Sequence, residues 1–530
     1  MSDNPHPSTG PDTPTDAASA AESASASARL SATGGCCDVS ACCTSEEQSS
    51  NPAVTVQQAK TATRCGCVGD QALQELPVAV VGAGPVGLAA AAHLVERGLD
   101  FLILEGGEQI GASVAQWAHV RLFSPWRFNI DPAARRLLQA TDWTSPAPDA
   151  LPTGGELIDA YLRPLAALPL IADRLRLGTR VEAITRNGYD RLRSNGRDKV
   201  PFLLRLSTGE ELHARAVIDA SGTWTNPNVL GGAGLPAHGE SDNADRITHA
   251  LPDVLGADRA RFAGRHTLVV GAGHSAATTL LALADLADIE PGTRVTWAIR
   301  GASAARTYGG GAADQLPARG ALGMRVRDLV EAGRVRLLTG FFVHTIQRTD
   351  EGVQVISRDP SGNQQSVVAA TGFRPDHSIA AELRLELDPV LGTTPVLAPL
   401  IDPNLHSCGT VPPHGVDEPA HPETGYYAVG VKSYGRAPTF LLATGYEQVR
   451  SVVAALAGDW DAARDVRLEL PQTGVCSTRA CPVDHALIQN KAVTSTIAAR
   501  KLRASLSNRV AIPRHCLSRL MQRSTTLRRR

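Results

Sequence analysis

Two glycine-spaced segments carry the chemistry that can be read from this chain. In the first, Gly82-Ala83-Gly84-Pro85-Val86-Gly87 follows the apolar run Val78 to Val81 and opens an alanine-rich stretch, Pro85 to Arg97. A G-x-G-x-x-G between strand and helix gives a tight turn at Gly82, backbone approach to a pyrophosphate at Gly84 and close helix-on-strand packing at Gly87. Pro85 fits the first helical position, and the helix amides face the phosphates. Glu105, 18 positions past Gly87, ends the next apolar run, Phe101 to Leu104, where a carboxylate accepts from ribose hydroxyls. A free 2′-hydroxyl is expected there, which selects FAD or NAD over NADP.

The second segment is Gly271-Ala272-Gly273-His274-Ser275-Ala276, with alanine at the third glycine position, as the fingerprint allows. Its following strand ends at Arg300 in place of an acid, and Arg306 comes soon after. Guanidinium groups there pair with a 2′-phosphate, so this turn is read as an NADPH site. The glycine-rich stretch Tyr308 to Gly320 beside it reads equally as a lid or as a plain surface loop.

The elements that must position these turns follow from the apolar pattern. Residues 76–260 read as a first dinucleotide-binding domain, 261–375 as a second, 376–465 as a return to the first, and 466–530 as a basic extension. The fold class is α/β, with two Rossmann-like domains, the later one inserted into the earlier. Residues 1–75 are rich in Ser, Ala, Thr, Pro and Gly and bury too little apolar surface to offset ordering entropy, so a disordered tail is expected.

Composition limits the partners. With 530 residues, a formal net charge of −1 and 20% charged residues, no one-signed field draws the chain to nucleic acid or membrane, and none is expected. The first 30 residues lack a signal-peptide pattern, so a cytoplasmic location is expected. Assembly is left open, a homodimer being one option.

From Leu76 to Gly458 the sequence resembles the flavin-dependent oxidoreductases with two dinucleotide-binding domains, in particular their flavin-containing monooxygenase-like branch. Beside both fingerprints, Asp219-Ala220-Ser221-Gly222-Thr223 and Ala370-Thr371-Gly372-Phe373 resemble the two links between the domains, and Tyr427-Ala428-Val429-Gly430 resembles the late strand that brings backbone amides to the flavin. The resemblance implies FAD in the first domain and NADPH in the second. Electrons then pass to dioxygen, activated on the reduced flavin, or directly to a small acceptor. Disulfide reductases of this fold need a redox cysteine pair in the flavin or nicotinamide domain, and this chain has no cysteine between Cys67 and Cys408.

Candidates for the ring's surroundings are Trp117, Arg121, Ser124 and Trp126 in one segment and Lys432, Tyr434 and Arg436 in another. Lys432 is singled out because lysine is scarce here, and its charge suits a reduced flavin. Cys408, with His406 and His414, forms a possible soft-ligand loop. Six of the ten cysteines, Cys36, Cys37, Cys42, Cys43, Cys65 and Cys67, crowd the N-terminal tail. Soft thiolates gather thiophilic ions such as trivalent arsenic. Similar cysteine-pair tails occur on proteins of bacterial arsenic resistance. The expected substrate is therefore a soft nucleophile, a trivalent arsenical or a nitrogen or sulfur compound. Two alternatives stand beside oxygen insertion: a flavin reductase or oxidase of a small acceptor, and a thiol-rich metalloid-binding or redox-sensing flavoprotein.

Overall fold

The computed structural model describes residues 70–357, 360–405, 411–438 and 440–468. The chain begins with β1 (Val78–Val81), helix α1 (Pro85–Glu96) and β2 (Phe101–Leu104), followed by β3 (Leu175–Arg176). A meander of β4 (Val181–Arg186), β5 (Phe202–Leu206) and β6 (Glu211–Ala214) precedes β7 (Ala216–Asp219). Then come β8 (Ile247–His249), β9 (His266–Val270), helix α2 (His274–Ile289), β10 (Arg294–Ala298), helix α3 (Pro317–Glu331) and β11 (Val335–Leu338). A second meander, β12 (Thr345–Thr349), β13 (Gly352–Ile356) and β14 (Pro360–Gln364), leads to β15 (Ser366–Ala369), β16 (Tyr426–Ala428) and helix α4 (Leu442–Leu456).

Two five-stranded sheets result, both parallel throughout: β16-β7-β1-β2-β3 and β11-β10-β9-β15-β8. Strands covered on both faces favour apolar side chains, and β1, β7 and β15 are buried along their whole length, with Asp219 at the end of β7 and Ser366 at the start of β15 the polar exceptions. Helix α1 buries its run from Val86 to Leu94, and the small Ala89 to Ala92 let it lie close on the sheet. It ends where Gly98 takes φ +64° and the Leu99 amide bonds back to the Leu94 carbonyl, as a glycine cap requires.

Each sheet reverses direction at one point. In the first, the chain runs outward through β2 and β3 on one side of β1, while β7 and β16 occupy the other; in the second, β10 and β11 flank β9 opposite β15. Open α/β sheets bind ligands at this switch point, beyond the carboxyl ends of the strands. The strands of the second sheet from β8 to β15 lie between β7 and β16 in the chain, so β16 returns to the first sheet by pairing with β7.

The two crossings between sheets are bound to each other. The Asn228 amide donates to the Gly372 carbonyl (2.9 Å) and the Arg374 amide to the Asn226 carbonyl (3.1 Å), while Arg374 Nε donates to Asn228 Oδ1 (2.8 Å). Trp224 on the outgoing crossing stacks on Phe373 of the returning one, with ring centroids 4.8 Å apart. No helix among the described residues is long and apolar enough to cross a membrane.

Candidate functional site

Both glycine turns sit at the switch points. At the first, Gly82 has φ +101°, and a Cβ there would lie 2.8 Å from the Ala220 carbonyl oxygen; a Cβ on Gly87 would lie 1.9 Å from the Gly82 carbonyl. The protein itself demands these two glycines. Gly84 differs: its φ is −80°, and a Cβ would meet nothing within 4 Å. Glycine there is explained by something outside the chain approaching the backbone, which is what a pyrophosphate does at the N-terminus of a 12-residue helix. Glu105 ends β2 beside this turn, Oε2 accepting from the Ala83 amide (2.6 Å) and Oε1 from the Gly107 amide (2.8 Å). The residues present therefore fit a dinucleotide.

The second turn repeats the geometry. Gly271 has φ +139°, and its Cβ would stand 2.0 Å from the Ala370 carbonyl, whereas a Cβ on Gly273 again meets nothing within 4 Å. Trp297 Nε1 donates to the Gly271 carbonyl (2.7 Å) and Thr307 Oγ1 to the Ala272 carbonyl (2.8 Å), which fixes the turn and brings the Arg306 segment onto it. Ala276 is fully buried in α2. Ser275 and His274 open that helix, and the His274 ring lies 4.8 Å from Phe123 of the other dinucleotide unit. His274 keeps an exposed edge but is crowded by protein atoms; that desolvation and the Arg319 charge hold its imidazole at about 4, neutral near pH 7. Arg300 and Arg306 are both exposed beyond β10; Arg300 reaches the Gly232 carbonyl at 3.4 Å and Arg306 the Pro403 carbonyl at 3.3 Å.

Beside the first cradle lies a buried polar network. Lys432 Nζ donates to Asp219 Oδ2 (2.6 Å) and to Ser221 Oγ (2.9 Å), Tyr426 Oη donates to Asp219 Oδ2 (2.9 Å), and Ser221 Oγ donates to Asp219 Oδ1 (2.6 Å). Burial alone would push the Asp219 carboxyl up; the Lys432 ammonium and the Ser221 and Tyr426 hydroxyls bring it below the usual carboxylate range. Burial, with the Asp219 charge, pushes the Tyr426 phenol far up, so it remains a donor. The lysine charge is thus spent on a carboxylate, not held ready for another anion. Sequence reasoning found Lys432 by its rarity but missed Asp219 and Tyr426 as its partners.

The remaining candidates are scattered around these centres. Trp117 is half-buried, with its ring centroid 6.5 Å from that of Trp224, and Trp126 is buried. Ser124 is buried and donates to Asn129 Oδ1 (2.9 Å); Arg121 is exposed and donates to the Leu151 carbonyl (2.5 Å). Both are therefore bonded to their own unit. Gly222, Gly372 and Gly430 take φ of +74°, +84° and +68° at the exits of β7, β15 and β16, and Gly430 packs against Val86 of α1. Tyr434 is buried, while Arg436 is exposed with its amide on the Leu391 carbonyl (2.8 Å). His414 is buried against Gln448, with 3.1 Å between its Nε2 and Gln448 Nε2. Cys408 and Cys36, Cys37, Cys42, Cys43, Cys65 and Cys67 lie outside the described residues, and no described residue is a cysteine.

Two switch-point cradles of this kind define a dinucleotide-dependent oxidoreductase. Residues 79–397 match the pyridine nucleotide-disulphide oxidoreductase family, and the chain belongs to it: it is an FAD-dependent NAD(P)H oxidoreductase. It is 26% identical over 328 residues to a ferredoxin–NADP reductase of Gluconacetobacter diazotrophicus, covering 60% of this chain and 78% of that one. It is 30% identical over 203 residues to the indole-3-pyruvate monooxygenase YUCCA1 of Oryza sativa, covering 37% of this chain and 42% of the relative. Among solved structures, the bacillithiol disulfide reductase of Bacillus cereus matches with TM-score 0.54 at 19% identity, over 72% of this chain and 99% of that one, a likeness of fold.

Proposed function

We propose that the protein is an NADPH-dependent flavoprotein monooxygenase acting on a soft nucleophile. FAD would occupy the cradle of Gly82, Gly84, Gly87 and Glu105, and NADPH that of Gly271, Gly273, Ser275 and Ala276, with Arg300 and Arg306 beside its 2′-phosphate. FAD, when bound, takes a hydride from the nicotinamide and hands its electrons on. The chain's own part would be to hold the two cofactors, with the buried Lys432–Asp219 pair fixing the exit of β7 against the turn after β16.

The observation that carries this reading is the absence of cysteine between Cys67 and Cys408, which removes a dithiol relay from both cradle regions and leaves an acceptor outside the chain. The similarity to a plant monooxygenase supports the oxygenase form. The longer match to a ferredoxin–NADP reductase favours a second reading, in which electrons leave the flavin without oxygen insertion. Thiol-rich stretches at the ends of the chain are the basis for a soft substrate, a trivalent arsenical or a nitrogen or sulfur compound.

The test is NADPH consumption by flavin-loaded protein across arsenite, methylated trivalent arsenicals, thioethers and amines, with oxygen and product measured together. An oxygenase consumes NADPH and oxygen and yields oxygenated product one to one to one. A rate unaffected by removing oxygen establishes the reductase instead, and no stimulation by any member excludes these substrates.

A further inference from the structure

Beside the second cradle, two exits of the sheet are laced together. Strands β10 and β11 run parallel and end side by side at Ala298 and Leu338, so both emerge at the same edge as the Gly271 turn that follows β9. Ligands of open α/β sheets bind at this edge. The pairing continues past the strands: the Ile299 amide donates to the Leu338 carbonyl, the Phe341 amide to the Ile299 carbonyl and the Gly340 amide to the Gly301 carbonyl, each at 2.9 Å. Phe342, the next residue, is therefore held beside Arg300.

Gly232, on the crossing that follows β7, ties the two together. Its amide donates to the Val343 carbonyl (2.8 Å), and its carbonyl accepts from Arg300 Nη1 at 3.4 Å. A Cβ on Gly232 would stand 2.9 Å from the Cβ of Phe342 and 3.2 Å from Cδ1 of its ring, so glycine at 232 makes room for the phenylalanine. The ring is not there to fill the core. Phe342 is 53% exposed where Phe341 beside it is 7% exposed, and among the described residues no other aromatic ring packs on it.

We propose that Phe342 is the adenine platform of the second cradle, the phenyl ring stacking on the base of the nicotinamide dinucleotide. The inference rests on the reading that this cradle holds NAD(P)H with Arg300 at its 2′-phosphate. Adenine is bonded to C1′ of the ribose and the phosphate to the oxygen on C2′, the adjacent carbon, so a side chain held beside the guanidinium is within reach of the base. An aromatic ring stacks on any base face without needing a hydrogen-bond pattern. Since NADPH and NADH share the adenine, Phe342 supplies affinity to both, and Arg300 supplies the choice between them.

The experiment uses the flavin-loaded full-length protein, in which the first cradle is already filled. Binding of 2′,5′-ADP is measured by calorimetry, and KM is measured for NADPH, NADH and reduced nicotinamide mononucleotide, which lacks the adenosine. Phe342→Ala should weaken 2′,5′-ADP by about fivefold or more, as the loss of one base–aromatic stack predicts. It should raise the KM for NADPH and NADH by the same factor, and leave kcat and the KM for the mononucleotide within about twofold. Phe342→Trp should restore the affinity, and its added fluorescence should be quenched by 2′,5′-ADP, which a merely structural side chain would not show. Unchanged 2′,5′-ADP affinity in Phe342→Ala, an equal rise in KM for the mononucleotide, or a tryptophan signal that the nucleotide leaves untouched overturns the stacking. A wild type that binds neither 2′,5′-ADP nor NADPH overturns the cofactor reading and the stacking with it, whereas equal binding by wild type and Phe342→Ala removes the stacking alone.

Discussion

Lys432 Nζ lies 2.6 Å from Asp219 Oδ2 across 213 positions of sequence, joining the exit of β7 to the turn after β16. Both side chains are almost wholly buried. Removing one partner strands a buried charge, so Lys432→Met or Asp219→Asn should each lose about 3–5 kcal/mol of stability. Replacing both with apolar residues should recover most of that loss. Urea unfolding of the three variants checks this, and single-variant losses below about 1 kcal/mol would show that the pair is solvated.

Gly82 and Gly84 should respond oppositely to alanine. Gly82→Ala forces a side chain into φ +101° and against the Ala220 carbonyl, so the melting temperature should fall. Gly84→Ala meets open space and should cost under about 1 kcal/mol as a helix-cap change. It should nevertheless lose flavin. Flavin content after purification, set against thermal melts, separates the two; Gly273→Ala is expected to raise the KM for NADPH with the fold intact.

Arg300 and Arg306 stand beyond β10, where the fingerprint's acid would exclude a 2′-phosphate. Arg300→Glu should raise the KM for NADPH at least tenfold and leave that for NADH within about threefold, since one charge-assisted contact is worth roughly 1.5–3 kcal/mol. Equal losses for both coenzymes would show that Arg300 does not read the phosphate.

Acid should destabilise the protein in two stages. His421 is held at about 4 by burial and by neighbouring His377, against about 6.5 when unfolded. The unfolded state binds more protons between those values, so stability is complete above pH 6.5 and declines as pH falls toward 4. Asp219, depressed by its partners, adds stability above the ordinary carboxylate pKa that is lost below about pH 4. Chemical denaturation from pH 8 to pH 3 should follow that course, and a His421→Gln variant should shrink the first stage without abolishing it, because His274, also held at about 4, contributes over the same range. A His421→Gln protein with an unchanged first stage would contradict this assignment.

What the sequence made legible was local. Val78–Val81, Phe101–Leu104 and Ala216–Asp219 were readable as strands because buried parallel strands are continuously apolar, and both turns because glycine spacing is dictated by close backbone approach. Contacts between distant segments were not legible. Nothing near Asp219 in sequence indicates Lys432 or Tyr426, and the stack of Trp224 on Phe373 exists only once the two crossings lie side by side. The Tyr308 to Gly320 stretch illustrates the same limit. Its glycine content suggested a lid as readily as a loop, yet a Cβ on Gly320 would lie 2.1 Å from the Gly311 carbonyl and one on Gly323 2.2 Å from that of Tyr308, so these glycines let the segment pack onto α3.

The chemistry turns on two switch-point cradles, one for flavin and one for nicotinamide. Anaerobic titration of the purified protein with NADPH, followed in the visible spectrum, tests it most directly. A yellow protein, with one FAD per chain, bleached by one equivalent of NADPH is the predicted result. A colourless protein that FAD cannot reconstitute, or a yellow one that NADPH leaves unbleached, would contradict it.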